Sequence, residues 1–287
     1  MNLYEQVTNQ IIELMETATS SQELWSKIGS TDLFAPKNHV TGDFYNGINI
    51  LILAAAMQKF GYQHNEWLTF NQAKANNLKV RKGEKSTVCV FYKPIEKDTV
   101  NPESGEVEKE RFAIAKPFYL FNVAQLENVT ISNNETSLEN EFSKIEAGEI
   151  ILNNLIEKKG AAIQIGSSDS AYYVPSVDKI VLPAKEQFTK AEYFYSVLFH
   201  EASHWTGNKS RLDRNLSGRF GSQSYAMEEL IAELSSAFTC AKTGIVKHTI
   251  ENHACYLKSW LQVLKNDTKA IFTAAAQAQK AHEFIMN

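Results

Sequence analysis

No apolar run in this chain approaches the roughly twenty residues that a membrane-spanning helix requires. The first residues, Met1-Asn2-Leu3-Tyr4-Glu5-Gln6, have neither the basic start nor the apolar stretch of a secretory leader. Cysteine is scarce as well: Cys89, Cys240 and Cys255 are odd in number and none belongs to a CxxC pair. That excludes a disulfide scaffold and a cysteine-rich metal site, and leaves the thiols as small hydrophobes in a reducing compartment. The expectation is a cytoplasmic protein. Positive charge is not in excess either, since 29 Lys and Arg stand against 33 Asp and Glu for a net charge of −4. A uniformly basic nucleic-acid binder is thereby excluded, although a local basic surface is not.

What is present is ordinary globular material. The 287 residues are 44% hydrophobic and 22% charged, enough for one large or two ordinary domains, each with its own core. Within it, His200-Glu201-Ala202-Ser203-His204 carries specific chemistry. On a helix, positions i and i+4 share a face, so the two imidazoles can meet one cation. Glu201 sits where its carboxylate reaches a water on that cation without ligating it. This is the HExxH arrangement of zinc-dependent peptidases. Thr189-Lys190-Ala191-Glu192 reads as a capping box and Gly207 as a stop, bracketing a helix of about four to five turns.

A catalytic zinc takes three protein ligands and keeps a fourth position open. Tyr225–Leu234 reads as a second helix with Ser224 as its N-cap. Glu229 and Glu233 are four apart on it and share a face, resembling the Glu-x-x-x-Asp helix of gluzincins. The expected third ligand is Glu229, with Glu233 accepting a hydrogen bond from a ligand histidine and so orienting it. Glu228 is the alternative ligand, about 100° round the helix. Tyr225 is a candidate oxyanion donor, or a packing residue.

Positive charge concentrates between Lys74 and Lys93, where Lys74, Lys79, Arg81, Lys82, Lys85 and Lys93 face only Glu84. Trp67, Phe70, Phe91 and Tyr92 flank or interleave them. Cations along a phosphate backbone and rings on unpaired bases are the ingredients of single-strand binding. The candidate DNA-binding set is Trp67, Phe70, Lys74, Arg81, Lys82, Lys85 and Tyr92. The same letters, Val88, Val90 and Phe91 among them, also fit a strand whose rings face a core.

The expected fold class is α+β. A small α+β domain over residues 1–128 precedes a linker rich in Ser, Thr, Asn and Glu at 129–142 and a mostly helical domain with a small sheet at 143–287. The first domain should hold a helix over about 2–28, a buried helix from Ile48 to Met57, and a short helix capped by Thr69. A strand over 86–93 should turn at a polar tip, 101–105, and return to end in Phe118-Tyr119-Leu120-Phe121-Asn122. The second should hold helix 143–159, strand Ala162–Ile165, two short strands between Ala171 and Pro183, the two site helices, and helices near 247–265 and 267–286. Ile180–Leu182 is the candidate edge that would hold a substrate extended, and an interior strand fits the same letters.

Two independent sets of motifs resemble one family. Tyr45-Asn46-Gly47-Ile48-Asn49-Ile50-Leu51, Trp67-Leu68-Thr69-Phe70-Asn71-Gln72-Ala73, Arg81-Lys82-Gly83-Glu84-Lys85 and Phe121-Asn122-Val123-Ala124-Gln125 resemble the N-terminal domain of ArdC-type antirestriction proteins. Tyr172-Tyr173, Asp178-Lys179-Ile180, the segment His200–Gly207, Arg211-Leu212-Asp213-Arg214 and Tyr225–Glu233 resemble its metallopeptidase domain. The resemblance implies a gluzincin-like second domain holding Zn²⁺, single-stranded DNA as partner, and carriage on mobile elements whose DNA it protects from host restriction. Three functions stay open. One is a DNA-binding zinc peptidase acting on a host restriction or defence protein. The others are a strand-shielding protein with a structural metal, and a regulator that cleaves a transcription factor.

Overall fold

The computed structural model describes residues 2–18, 36–100, 107–127, 129, 139–219, 221–245 and 256–287. Asn2 starts the first helix by accepting the N–H of Glu5, whose carboxylate accepts the Asn2 N–H in return. This capping box opens α1 (Leu3–Glu16), which ends at Thr17 rather than running on through 18. The remainder of the expected 2–28 helix lies outside the described residues. α2 (Ile48–Phe60) is apolar all round and accordingly buried on nearly every side, with Gly61 at φ 66° as its left-handed stop.

Around α2 lies a four-stranded sheet ordered β1-β2-β5-β4, from β1 (Lys37–Asn38), β2 (Glu66–Leu68), β4 (Thr87–Val100) and β5 (Val107–Asn122). β4 and β5 form a long antiparallel ribbon with Thr87 opposite Leu120 and Val100 opposite Val107. Its expected tip, 101–105, lies outside the described residues. β3 (Lys79–Val80) pairs with β6 (Leu126–Glu127), beside the short α3 (Phe70–Ala75) that Thr69 and Gln72 cap reciprocally.

The second half opens with α4 (Glu139–Asn153), which runs into a π-helical turn over Asn154–Lys158. Of the expected 129–142 linker, residues 130–138 lie outside the described residues and the last four belong to α4. β7 (Ala162–Ile165), β8 (Tyr172–Val174) and β9 (Lys179–Leu182) form a sheet ordered β7-β9-β8. β9 is therefore the central strand, parallel to β7 and antiparallel to β8. Ile180–Leu182 is no edge, and its unbroken apolar run reflects burial on both faces.

Next come α5 (Ala191–Thr206), α6 (Gln223–Thr243), α7 (Tyr256–Asn266) and α8 (Ala270–Met286). Lys190 rather than Thr189 is the N-cap of α5, without a side-chain cap bond, so the expected box does not form. Ser222, not Ser224, caps α6 by accepting the Tyr225 N–H. The first part of the expected 247–265 helix, through 255, lies outside the described residues.

One hydrophobic core threads both halves. Val7 and Ile11 of α1, Ile52 and Leu53 of α2, and Cys89, Val90 and Leu120 of the ribbon join Leu230 and Leu234 of α6, Trp260 of α7 and Phe272 and Ala275 of α8. A second core of β9, α4 and α5 covers the other side of α6. Serines let α5 and α6 approach closely. Ser203 Oγ lies 2.8 Å from Ser235 Oγ, and Ser236 Oγ donates to the Ser196 carbonyl at 2.9 Å. That seam sets the helices' facing side chains.

Candidate metal centre

Across the seam, α5 presents His200 and His204 and α6 presents Glu229. One ligand atom from each lies within 4.8 Å of the others. The two Nε2 atoms are 3.2 Å apart, Glu229 Oε2 is 3.6 Å from His200 Nε2, and Oε1 is 3.5 Å from His204 Nε2. A tetrahedral ion with bonds of about 2.0–2.1 Å sets its ligands roughly 3.3–3.4 Å apart, so the spacing fits.

The opposite nitrogens decide where the lone pairs point. His200 Nδ1 lies 3.4 Å from Glu233 Oε1, and His204 Nδ1 lies 3.2 Å from Glu228 Oε1. With the His204 Nδ1 hydrogen-bonded to Glu228 and the His200 Nδ1 facing Glu233 at ion-pair distance, both Nε2 atoms are left to aim a lone pair at the same point. Two lone pairs converging at that distance repel unless a proton or a cation lies between them. The donor set therefore fits a divalent cation.

Electrostatics agree. Burial opposes charge on His204, but the carboxylates of Glu229, Glu228 and Glu201 outweigh it and raise its pKa to about 9. Burial likewise works against ionised Glu228, yet hydrogen bonds from Arg214 and His204 hold its carboxyl below the usual range. His200, Glu201, Glu228, Glu229 and Glu233 are all buried. Tyr225 stands one turn before Glu229, on the same face of α6 and half-buried.

Glu228, the alternative ligand, is turned away from the centre. Both its oxygens meet Arg214: Nε donates to Oε2 at 2.9 Å and Nη2 to Oε1 at 2.7 Å. Sequence reasoning had no role for Arg214, because its partner lies fourteen residues on. Nor did it find the brace behind α5. There Arg211 stacks on Trp205 at 3.9 Å and pairs with Asp178 of the β8–β9 turn, which also accepts from Tyr173 Oη at 2.7 Å.

The candidate DNA residues separate. Trp67 is 0% exposed, with its Nε1 donating to Asn65 Oδ1 at 2.6 Å. Its ring packs the core and has no face for a base. Tyr92 is half-buried against Phe272, lining a cavity of about 980 Å³ between the two halves. Phe70 is 57% exposed, and Lys74, one turn on along α3, shares its side. Lys82 and Lys85 are exposed, whereas the Arg81 guanidinium is engaged by Glu84 and the Leu126 carbonyl. Sequence reasoning left out Tyr119 and Phe121, which leave the sheet on the side opposite Phe118 and Leu120. Phe121 lies 6.3 Å from Phe70, and Tyr119 is 54% exposed. Alternation in Phe118-Tyr119-Leu120-Phe121 was the available signal.

Residues 151–277 match the family described as zincin-like metallopeptidase, and residues 1–121 match the N-terminal domain of anti-restriction factor ArdC. The second half is thus a zincin-like domain, a class organised around a divalent metal. Over the whole chain, the crystal structure of the antirestriction ArdC protein from plasmid R388 is similar in its metal-free form, with TM-score 0.73 and 34% identity, covering 99% of this chain and 97% of that one. Its Mn(II)-bound form gives 0.74 and 33% with the same coverage. The chain belongs to the ArdC family of antirestriction proteins. An uncharacterized protein of Sinorhizobium fredii, y4eC, is 38% identical over 99% of this chain and 91% of its own length. A DNA primase TraC of Escherichia coli is 36% identical over 99% of this chain but only 27% of its own length.

Proposed function

We propose that this protein binds single-stranded DNA through its first half and hydrolyses a peptide bond with its second, protecting a mobile element's DNA from host restriction. The convergence of His200, His204 and Glu229 at metal-ligand separations carries the reading. In it, His200, His204 and Glu229 hold Zn²⁺, and Glu233 fixes the His200 ring. The Mn(II) bound by the plasmid R388 relative makes manganese the competing occupant. When bound, the divalent ion supplies Lewis acidity to the scissile carbonyl and to the attacking water. Glu201 takes the proton from that water and delivers it to the leaving amine, so protons balance across the step. β8, the edge strand antiparallel to β9, is the strand that offers main-chain pairing to an extended substrate. The protein substrate is a component of the host's restriction or defence machinery.

For the DNA half, Phe70, Tyr119 and Phe121 supply the stacking surface, and Lys74, Lys82 and Lys85 the cations. Membership in an antirestriction family and the TraC likeness support a role on DNA. The division at 1–128 and 143–287 follows the two sets of motifs. In the cell, the compartment is the cytoplasm, where restriction operates.

Burial of Glu201 at 5% exposure favours a second reading, in which the metal is a structural clamp and protection comes from shielding the strand. Glu201→Gln separates the two. On the peptidase reading the variant keeps metal and DNA binding but loses both cleavage and protection of transferred DNA. Undiminished protection by that variant would leave shielding as the function. Metal content by mass spectrometry, on wild type and Glu229→Ala, identifies the ion.

A further inference from the structure

Glu228 and Glu229 are neighbours on α6, yet only one of them turns its oxygens to the two Nε2 atoms. The reason lies fourteen residues back. Arg214 takes both oxygens of Glu228 in a fork of Nε and Nη2, and two further N–H groups are committed too: Nη1 donates to Thr206 Oγ1 at 2.9 Å and Nη2 also to the Ser203 carbonyl at 2.7 Å. Its side chain is 5% exposed. A planar guanidinium held at four points cannot swing, and the carboxylate it holds cannot either. The backbone reinforces this, because the Arg214 N–H donates to the Gly207 carbonyl at 2.9 Å. A Cβ on Gly207 would lie 2.9 Å from Arg214 Nη2, so the residue ending the HExxH helix leaves room for the guanidinium.

We propose that Arg214 and Glu228 are positioning residues of the metal centre, with Arg214 holding Glu228 behind the His204 ring so that Nε2 faces the ion and Glu229 alone supplies the carboxylate ligand. The inference rests on the metal reading given above and goes beyond it. The two histidines are oriented by different devices, His200 by Glu233 from within the same helix pair and His204 by an ion pair anchored in the loop after α5. That loop also walls the cavity between the two halves, whose lining Arg214 and Glu228 share with Tyr92 and Lys269.

The test uses the full chain and reads metal binding, not hydrolysis. Zn²⁺ affinity is measured by competition with a chromophoric chelator, the ligand field by the visible spectrum of Co²⁺-loaded protein, and folding by thermal unfolding of the metal-free form. Glu228→Gln is expected to weaken Zn²⁺ binding about 10–100-fold and to shift the Co²⁺ bands. Arg214→Lys keeps the charge but loses the fork, and should fall between that variant and wild type. Because Glu228→Gln leaves a buried guanidinium without its counterion, Arg214→Met/Glu228→Met serves as the second variant: it removes both charges together and should fold while showing the same affinity loss. Folded variants with wild-type affinity and wild-type Co²⁺ spectra would overturn the positioning role alone. A wild-type protein that takes up no divalent metal would remove the metal reading itself.

Discussion

Glu233 Oε1 lies 3.4 Å from His200 Nδ1, with no part of the Glu233 side chain exposed. A carboxylate so enclosed is held by its partners alone, so its removal acts on the ring it faces. Glu233→Gln should lower divalent metal affinity about 10–100-fold while leaving DNA binding unchanged. Chelator competition and fluorescence anisotropy measure the two on one preparation. Equal loss of both would show a folding defect instead.

Metal uptake should depend steeply on pH. An imidazole must lose its proton to bind metal, and in the metal-free protein His204 keeps that proton up to about pH 9. Affinity should therefore rise between pH 6.5 and about 9, and calorimetry at pH 7.5 in buffers of different ionisation enthalpy should report release of about one proton. Stability of the metal-free fold runs the other way. A raised folded-state pKa stabilises fully below the unfolded value of 6.5 and ceases to do so as pH passes about 9. Parallel rather than opposite slopes would contradict the placement of His204.

For the DNA surface, rings on the outer face of the sheet and rings in the core should behave oppositely. Tyr119→Ala and Phe121→Ala should each weaken single-strand binding by about 1–3 kcal/mol. Trp67→Phe should lower the unfolding midpoint, since Asn65 loses its indole donor, yet leave the affinity of folded protein unchanged. Neutralising Lys74, Lys82 and Lys85 together should flatten the salt dependence, by about 0.7 in log–log slope for each phosphate that no longer meets a cation. An anisotropy titration at several salt concentrations gives all of these.

Gly148 of α4 packs face-on against Tyr195 of α5, where an added Cβ would lie 2.6 Å from the ring. Tyr195 Oη is in turn bound to Glu149 at 2.5 Å, so the ring has little room to retreat. Gly148→Ala should cost about 1–3 kcal/mol of unfolding stability in denaturant titration.

Legibility in the sequence followed the range of the interaction. That His200 and His204 share one face of α5, and Glu229 and Glu233 one face of α6, was readable because helical periodicity brings residues four apart together. The buried α2 was readable for a different reason, from its run of apolar letters. What joins distant segments was not. Trp67 and Phe70 are three residues apart and equally aromatic, but one lies in the core and the other in solvent, and only pairing of β2 with β5 decides which. The central place of β9 depends on β7, whose partner cannot be read from its own letters. Arg214 stood in a motif without a role of its own, because its partner Glu228 lies fourteen residues on and meets it only in the folded chain.

The shared core that joins α1, α2 and the β4–β5 ribbon to α6, α7 and α8 bears on how this protein is inherited. Cutting between the two motif sets would leave each fragment with a raw apolar face, so neither half is a ready-made cassette. The likeness follows the same rule: 99% of this chain, both motif sets together, is matched at 36% identity within about a quarter of TraC.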